Sequence, residues 1–173
     1  MRMTLDNSAM SVVSLGDELK LLELYLHLED MRLGGRFSYK VECPDLAHIK
    51  DTPVPTMIIQ PFVENAIWHG IMLKQSGADG WVRVGISKHG DHITIEVEDN
   101  GVGRQQAQKL KTQQGRVSRG YQITQQRIGL LNTMYGIRFN ITTIDKVNDA
   151  QQPAGTLVVI NIPTGLPQHG AWS

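Results

Sequence analysis

The stretch "WVRVGISKHGDHITIEVEDNGVG", residues 81–103, decides the fold. Its two halves, "WVRVGIS" and "HITIEVED", alternate apolar and polar side chains with the period of a half-buried strand. Between them "KHGD" carries the turn signal Gly90-Asp91, so the pair reads as an antiparallel hairpin. The second strand runs straight into "DNGVG". Gly101 and Gly103, one residue apart, let the backbone take positive φ and approach a ligand closely, while Asp99 sets a carboxylate acceptor at the mouth of the strand. Taken alone, an Asx-type turn after an edge strand explains the same residues.

Upstream of the hairpin lies "QPFVENAIWHG", residues 60–70, in which Asn65 and His69 at i, i+4 share a helical face with Glu64 beside them. An Asn carbonyl is a hard oxygen ligand suited to Mg²⁺, and a histidine there can either touch phosphate or cap the helix end. The helical spacing of Met57, Ile58, Phe62 and Ala66 spans Pro61, which predicts either a short turn that stops at Gln60 or a kink, with the helix proper starting near Pro61. Three prolines in "PDLAHIKDTPVP" predict a loop before it, and "RFSYKVEC" alternates as a further strand.

The chain's first strong signal is a helix from Ser14 to about Arg32, with Ser14 as cap, Asp17 and Glu18 in the first turn and Gly34-Gly35 as terminator. Two apolar stripes run along it: Leu15, Leu19, Leu22 and Leu26, and Leu21, Leu24, Leu28 and Met31. One buried face cannot absorb both, so the helix is expected to make a second apolar contact. Residues 1–13 read as a flexible leading edge and residues 164–173 as a loose tail.

Downstream, the segment Arg104 to Arg119 carries five Arg or Lys residues and no acid, and reads as a short helix followed by a loop. A helix "ITQQRIGLLNTMYG" follows, then strands "IRFNITTI" and "GTLVVINIP" around the polar loop "DKVNDAQQPA". Strands that neighbour one another with helices grouped among them predict an α/β (α+β) two-layer sandwich, with the helices on one face of a mixed, largely antiparallel sheet.

The 173 residues suit one domain. Seventeen basic residues against seventeen acidic ones leave no net charge for a nucleic-acid backbone, so no nucleic-acid partner is expected. The single cysteine, Cys43, fits a reducing cytoplasmic setting, and no apolar run approaches the roughly 18 residues of a membrane span. This domain is therefore expected to make no direct membrane contact.

Read together and in order, these motifs resemble the sensor histidine kinases of the LytS type within the GHKL ATPase superfamily. "YLHLEDMR" matches their "YLxxExxR", "PTMIIQPFVENAIWHG" their "PxxxxQPxVENAxxHG", "ITQQRIGLLNTMYG" their "ITxxRLxLLNxxYG" and "GTLVVINIP" their "GTxVxIxIP". The likeness spans Leu15 to Pro163 and implies a Bergerat-type fold binding ATP and Mg²⁺ over residues 14–163.

By that resemblance Asn65 is the Mg²⁺ ligand that joins metal to phosphates, His69 belongs to the same nucleotide-binding box, and Asp99 accepts the adenine amino group. Gly101 and Gly103 shape the near wall of the pocket, and Thr156 supports the adenine edge. Gly120 marks the second glycine box, where "GYQI" puts Tyr121 or Gln122 in the space of a second glycine. Residues 104–119 correspond to an ATP lid, although a solvated basic loop explains their charge equally. Arg127 either reaches phosphate or forms a structural ion pair. Glu64 corresponds to the residue that polarises water in ATP-hydrolysing relatives; in a kinase it orients Asn65 or the incoming imidazole.

The implied activity is transfer of the ATP γ-phosphate to a histidine on a dimerisation segment, for relay to a response regulator. No "PHFLFN"-like acceptor segment occurs in these residues, so the phosphoacceptor is expected on a segment outside this chain and the parent kinase is expected to be an inner-membrane-anchored homodimer with this domain in the cytoplasm. His27, His48, His89 and His92 read as surface histidines. Two alternatives stay open: a GHKL serine kinase or ATPase, and a nucleotide-binding regulatory module without catalysis.

Overall fold

The computed structural model describes residues 12–74, 79–111 and 139–165, together with Gln126, Gly129 and Thr133. Five strands make the main sheet: β2 (Phe37–Glu42), β4 (Gly80–His89), β5 (His92–Asp99), β6 (Asn140–Val147) and β7 (Pro153–Pro163). Their order is β2-β4-β5-β7-β6, with β2 parallel to β4 and every other pair antiparallel. The predicted hairpin is β4–β5, with His89 opposite His92 at its turn.

Alternation decides which face is covered. Val82, Val84 and Ile86 of β4, Ile93, Ile95 and Val97 of β5, and Val158, Ile160 and Ile162 of β7 are all buried on one side of the sheet. Against them pack α1 (Leu15–Leu33) through Leu15, Leu19, Leu22 and Leu26, and α3 (Gln60–Asn65) through Phe62 and Val63. Glu98 and Arg83 pair across β4 and β5 on the opposite face, Nη2 to Oε2 at 2.9 Å. The result is the expected two-layer sandwich.

Ser14 caps α1 by accepting the Asp17 amide at 3.1 Å, and Gly34 closes it with φ +65°. The second leucine stripe faces outward: Leu21, Leu24, Leu28 and Met31 are 51%, 56%, 51% and 59% exposed. They recur at intervals of three, four and three, the a/d spacing of a two-helix seam.

Several elements differ from the sequence expectation. Residues 12 and 13, assigned to the leading edge, join Ser14 in β1 (Val12–Ser14), which pairs antiparallel with β3 (Pro53–Pro55) inside the expected proline loop. A two-stranded ribbon leaves one side of each strand unpaired, so a proline's missing N–H is tolerated there. The same loop holds a one-turn helix, α2 (Leu46–Ile49). Met57 is not on the buried face: it has φ +55° and is 46% exposed, because residues 56–59 form a turn and α3 starts at Gln60 with Pro61 in its first turn. The loop expected over 145–154 shrinks to residues 148–152, since β6 continues through Val147 and β7 begins at Pro153. Asn148 closes that turn, its Oδ1 accepting the amides of Ala150 at 3.0 Å and Gln152 at 2.9 Å. Gln126, Gly129 and Thr133 are helical, within the helix expected there.

Candidate functional site

β5 ends at Asp99, whose side chain sits inside the molecule at 4% exposure. Its Oδ1 accepts the Gly101 amide at 2.7 Å, and the Thr156 backbone N–H on β7 also donates to the carboxylate. Burial raises its pKa from 3.8 to about 6, against the lowering effect of those two amides and of nearby Lys146. A buried carboxylate with this pKa is mostly ionised at neutral pH and held in a fixed direction by two backbone donors.

Glycine is required around it. A Cβ on Gly101 would run into the Gly70 backbone and stand 2.8 Å from Asp99 Oδ1. One on Gly70 would stand 2.9 Å from the same oxygen. Gly155, at φ +113°, lies against the Asp99 carbonyl so closely that a side chain would collide with it. The three glycines come from three parts of the chain: the end of the α3 segment, the turn after β5 and the start of β7. The Val102 amide donates to the Gly70 carbonyl at 3.2 Å, which ties the first two together.

That contact depends on how α3 ends. Asn65 is its last residue, and a single π-turn, Ala66–Gly70, follows, with the Ile71 amide donating to the Ala66 carbonyl five residues back. The π-turn keeps Ile67 and Ile71 fully buried while Glu64, Asn65 and His69 remain half-buried. Gln60 Nε2 donates to Glu64 Oε1 at 3.0 Å.

Behind β5, on the open face, Lys146 makes three contacts. Its Nζ is 2.8 Å from Glu98 Oε1 and 3.3 Å from the Asp99 carbonyl, and it sits 4.8 Å above the Trp81 ring. Burial resists the charge on Glu98, yet Lys146 and Arg83 hold its pKa below the ordinary value. At the start of α4 (Arg104–Lys111), the Arg104 guanidinium grips the Asp145 carboxylate with two bonds of 2.7 Å, which lowers the Asp145 pKa. Gly103, which precedes α4, has φ +74°.

The structure thus brings Asp99, Gly101, Gly103 and Thr156 together and joins to them the glycine that follows His69. Gly120, Tyr121 and Arg127 lie outside the described residues, as does most of the segment read as a lid. Two contributors were missed from sequence. Gly70 stands in "HG" with no local signal of a role, and Lys146 falls in a stretch that reads as a polar loop because β6 carries no apolar signal there.

The donor set suits Mg·ATP. The Asp99 carboxylate is an acceptor of the kind an exocyclic amino group takes, and the Asn65 amide oxygen is of the hard type Mg²⁺ takes. Among the described residues no three His, Cys, Asp or Glu side chains converge on one point. Mg²⁺ commonly uses one or two protein oxygens and completes its shell with phosphates and water, so an all-protein cage is not needed.

Comparison with known proteins agrees with this geometry. Residues 50–165 match the family model of the histidine kinase-, DNA gyrase B- and HSP90-like ATPases. Over 102 residues the chain is 37% identical to the sensor histidine kinase/phosphatase LytS of Staphylococcus aureus, an alignment covering 59% of this chain and 17% of that protein. The histidine kinase domain of the blue-light activated kinase EL346 from Erythrobacter litoralis superposes with a TM-score of 0.57 at 22% identity, over 90% of this chain and 68% of that one. The catalytic domain of histidine kinase ThkA gives 0.55 at 14% identity, over 90% and 96%. A structure of ThkA in complex with the response regulator protein TrrA gives 0.53 at 14% identity, over 90% and 42%.

Proposed function

The chain belongs to the histidine kinase-, DNA gyrase B- and HSP90-like ATPase family, and from that premise we propose that it is the ATP-binding catalytic domain of a two-component sensor histidine kinase of the LytS type. The observation that supports this most is the convergence of Asp99, Gly101, Gly70 and Thr156 into one buried, glycine-walled acceptor site. On this reading Asp99 receives the adenine amino group, Thr156 supports its edge, Gly101 and Gly103 form the near wall, and Asn65 holds Mg²⁺, with His69 beside the phosphates. Gly120 and Tyr121 contribute the second glycine box, and Arg127 a phosphate contact.

Phosphoryl transfer needs positioning and charge neutralisation more than a protein nucleophile. The bound metal supplies neutralisation at the phosphate oxygens. The acceptor imidazole nitrogen forms the N–P bond as the bond from γ-phosphorus to the bridging oxygen breaks, and ADP leaves with that electron pair. Glu64 orients Asn65 or the arriving imidazole, and the proton on the imidazole's other nitrogen passes to solvent or to Glu64.

The acceptor histidine lies on a dimerisation segment outside this chain, which spans about a sixth of the length of its LytS relatives. The exposed seam Leu21, Leu24, Leu28 and Met31 is where that segment docks, since its three-four-three spacing is that of helix pairing. The phosphohistidine then passes its phosphoryl group to an aspartate of a response regulator. Among the described residues no helix is long and apolar enough to cross a membrane, and the reading puts this domain in the cytoplasm of an inner-membrane-anchored homodimer. The test is incubation of the intact parent kinase with γ-labelled ATP. Acid-labile, base-stable label on a histidine, lost in Asn65→Ala, supports the reading; label on serine, or none from a folded kinase that binds ATP, contradicts it.

A further inference from the structure

The motif "YLHLEDMR" on α1 has no part in the site as described, yet one flank of that helix engages both ends of the Asn65-bearing segment. Glu18, Tyr25, Glu29 and Arg32, at steps of seven, four and three, form a single row along α1. At one end the buried Glu18 carboxylate accepts the Met57 amide at 2.9 Å and the Ile59 amide at 3.3 Å. Ile59 is the residue that precedes α3 and has no capping side chain, so the acceptor for the start of α3 comes from α1.

At the other end the row meets Trp68, in the π-turn just after Asn65. The Arg32 guanidinium carbon lies 5.0 Å above the indole ring, and Arg32 is 3.4 Å from Glu29. The Tyr25 hydroxyl oxygen accepts from the Trp68 indole N–H, a group that can only donate. Burial, reinforced by the carboxylates of Glu64 and Glu29, pushes the Tyr25 pKa up, so the phenol stays protonated. Glu29 is itself buried, and its Oε2 has no hydrogen-bond partner among the described residues.

Such polar groups are a costly way to pack two helices, because an unmatched buried carboxylate oxygen is penalised and leucines would fill the space. What they provide is direction: bonds of fixed geometry at both ends of the segment that carries Glu64 and Asn65. We propose that Glu18, Tyr25, Glu29 and Arg32 are positioning residues for the metal-binding step, clamping the α3 segment from Met57 to Trp68 so that the Asn65 amide meets the Mg·phosphate group. The inference rests on the nucleotide reading above and adds a positioning role for a helix outside the ATP site.

The test compares ADP affinity with Mg²⁺ and with EDTA in the wild type, Tyr25→Phe, Arg32→Ala and Arg32→Lys. The ratio of the two constants isolates the metal increment, which a merely structural role would leave unchanged in a folded variant. Tyr25→Phe and Arg32→Ala are expected to reduce the increment by about tenfold, the lower end of what is lost when a partner behind a metal ligand is removed. Metal-free affinity should change by less than about twofold, and Arg32→Lys, which keeps a cation over the ring, should recover most of the increment. Should Arg32→Ala fail to fold, Tyr25→Phe removes one oxygen only and carries the test. Variants that keep the wild-type increment overturn this inference alone, whereas a folded wild type that binds no nucleotide overturns the function reading beneath it.

Discussion

Asp99→Asn separates the electrostatic role of the buried carboxylate from its shape. In the wild type burial raises its pKa to about 6 in the native state against 3.8 unperturbed. The unfolded chain therefore releases this proton at lower pH than the native protein does. Between the two values the native state binds more protons, so unfolding becomes more favourable as pH rises, and the site costs about 3 kcal/mol of stability once pH passes about 7. Asparagine removes that cost but has one acceptor oxygen for two backbone donors, Gly101 and Thr156, and turns an NH₂ toward one of them. That mismatch is worth about 1–3 kcal/mol at every pH. Denaturant melts should thus find the variant less stable than the wild type near pH 4 and equal to it or more stable near pH 7, the balance moving toward the variant by about 2–2.5 kcal/mol across the interval. ATP affinity should move the other way, falling by about 10- to 100-fold in the variant at neutral pH. A stability difference that does not change with pH would refute the assignment of a perturbed, buried charge to Asp99.

Further outcomes are expected. Gly101→Ala should destabilise the chain by about 1–3 kcal/mol in chemical melts and abolish detectable ATP binding, because its methyl group meets the Gly70 backbone and Asp99 Oδ1; a variant with wild-type affinity contradicts the close-approach argument. Asn65→Ala should keep the fold while removing the Mg²⁺-dependent part of ATP affinity, read by titration with and without EDTA. Arg104→Ala loses an ion pair that is about half exposed, so its stability cost should stay under about 1 kcal/mol and shrink further in high salt. Leu24→Lys, on the exposed seam, should shift stability by less than about 0.5 kcal/mol yet weaken phosphorylation of the acceptor segment in the intact kinase.

Period-two and period-3.6 patterns made the hairpin, the first helix and both of its stripes legible, since those elements owe their form to which face is buried. The convergence at Asp99 was legible only as a set of motifs. Asp99, Gly101 and Thr156 each stood in a recognisable local pattern, but no local pattern says that β7 lies beside β5 or that Gly70 touches Gly101. Elements whose form comes from pairing were read less well. β1 and β3 are three residues each, too short for a periodic signal, and both prolines fall in β3, so only their mutual ladder makes them strands. Residues 145–147 look like a polar loop because β6 is an edge strand with solvent on its open face, and the ladder to β7 carries it onward. Lys146 was missed for the same reason. The roles of Glu18 and Trp68 depend on the contact between α1 and α3, which spans about forty residues of sequence.

The central claim, that Asp99 and the glycines packed around it belong to an ATP site, is tested most directly by calorimetric titration of Mg·ATP into the folded 173-residue chain alongside Asp99→Asn. One-to-one saturable binding that weakens at least about tenfold in the variant is the predicted result. A well-folded wild type that takes up no nucleotide, or one that binds it as tightly after Asp99 is changed, contradicts the account.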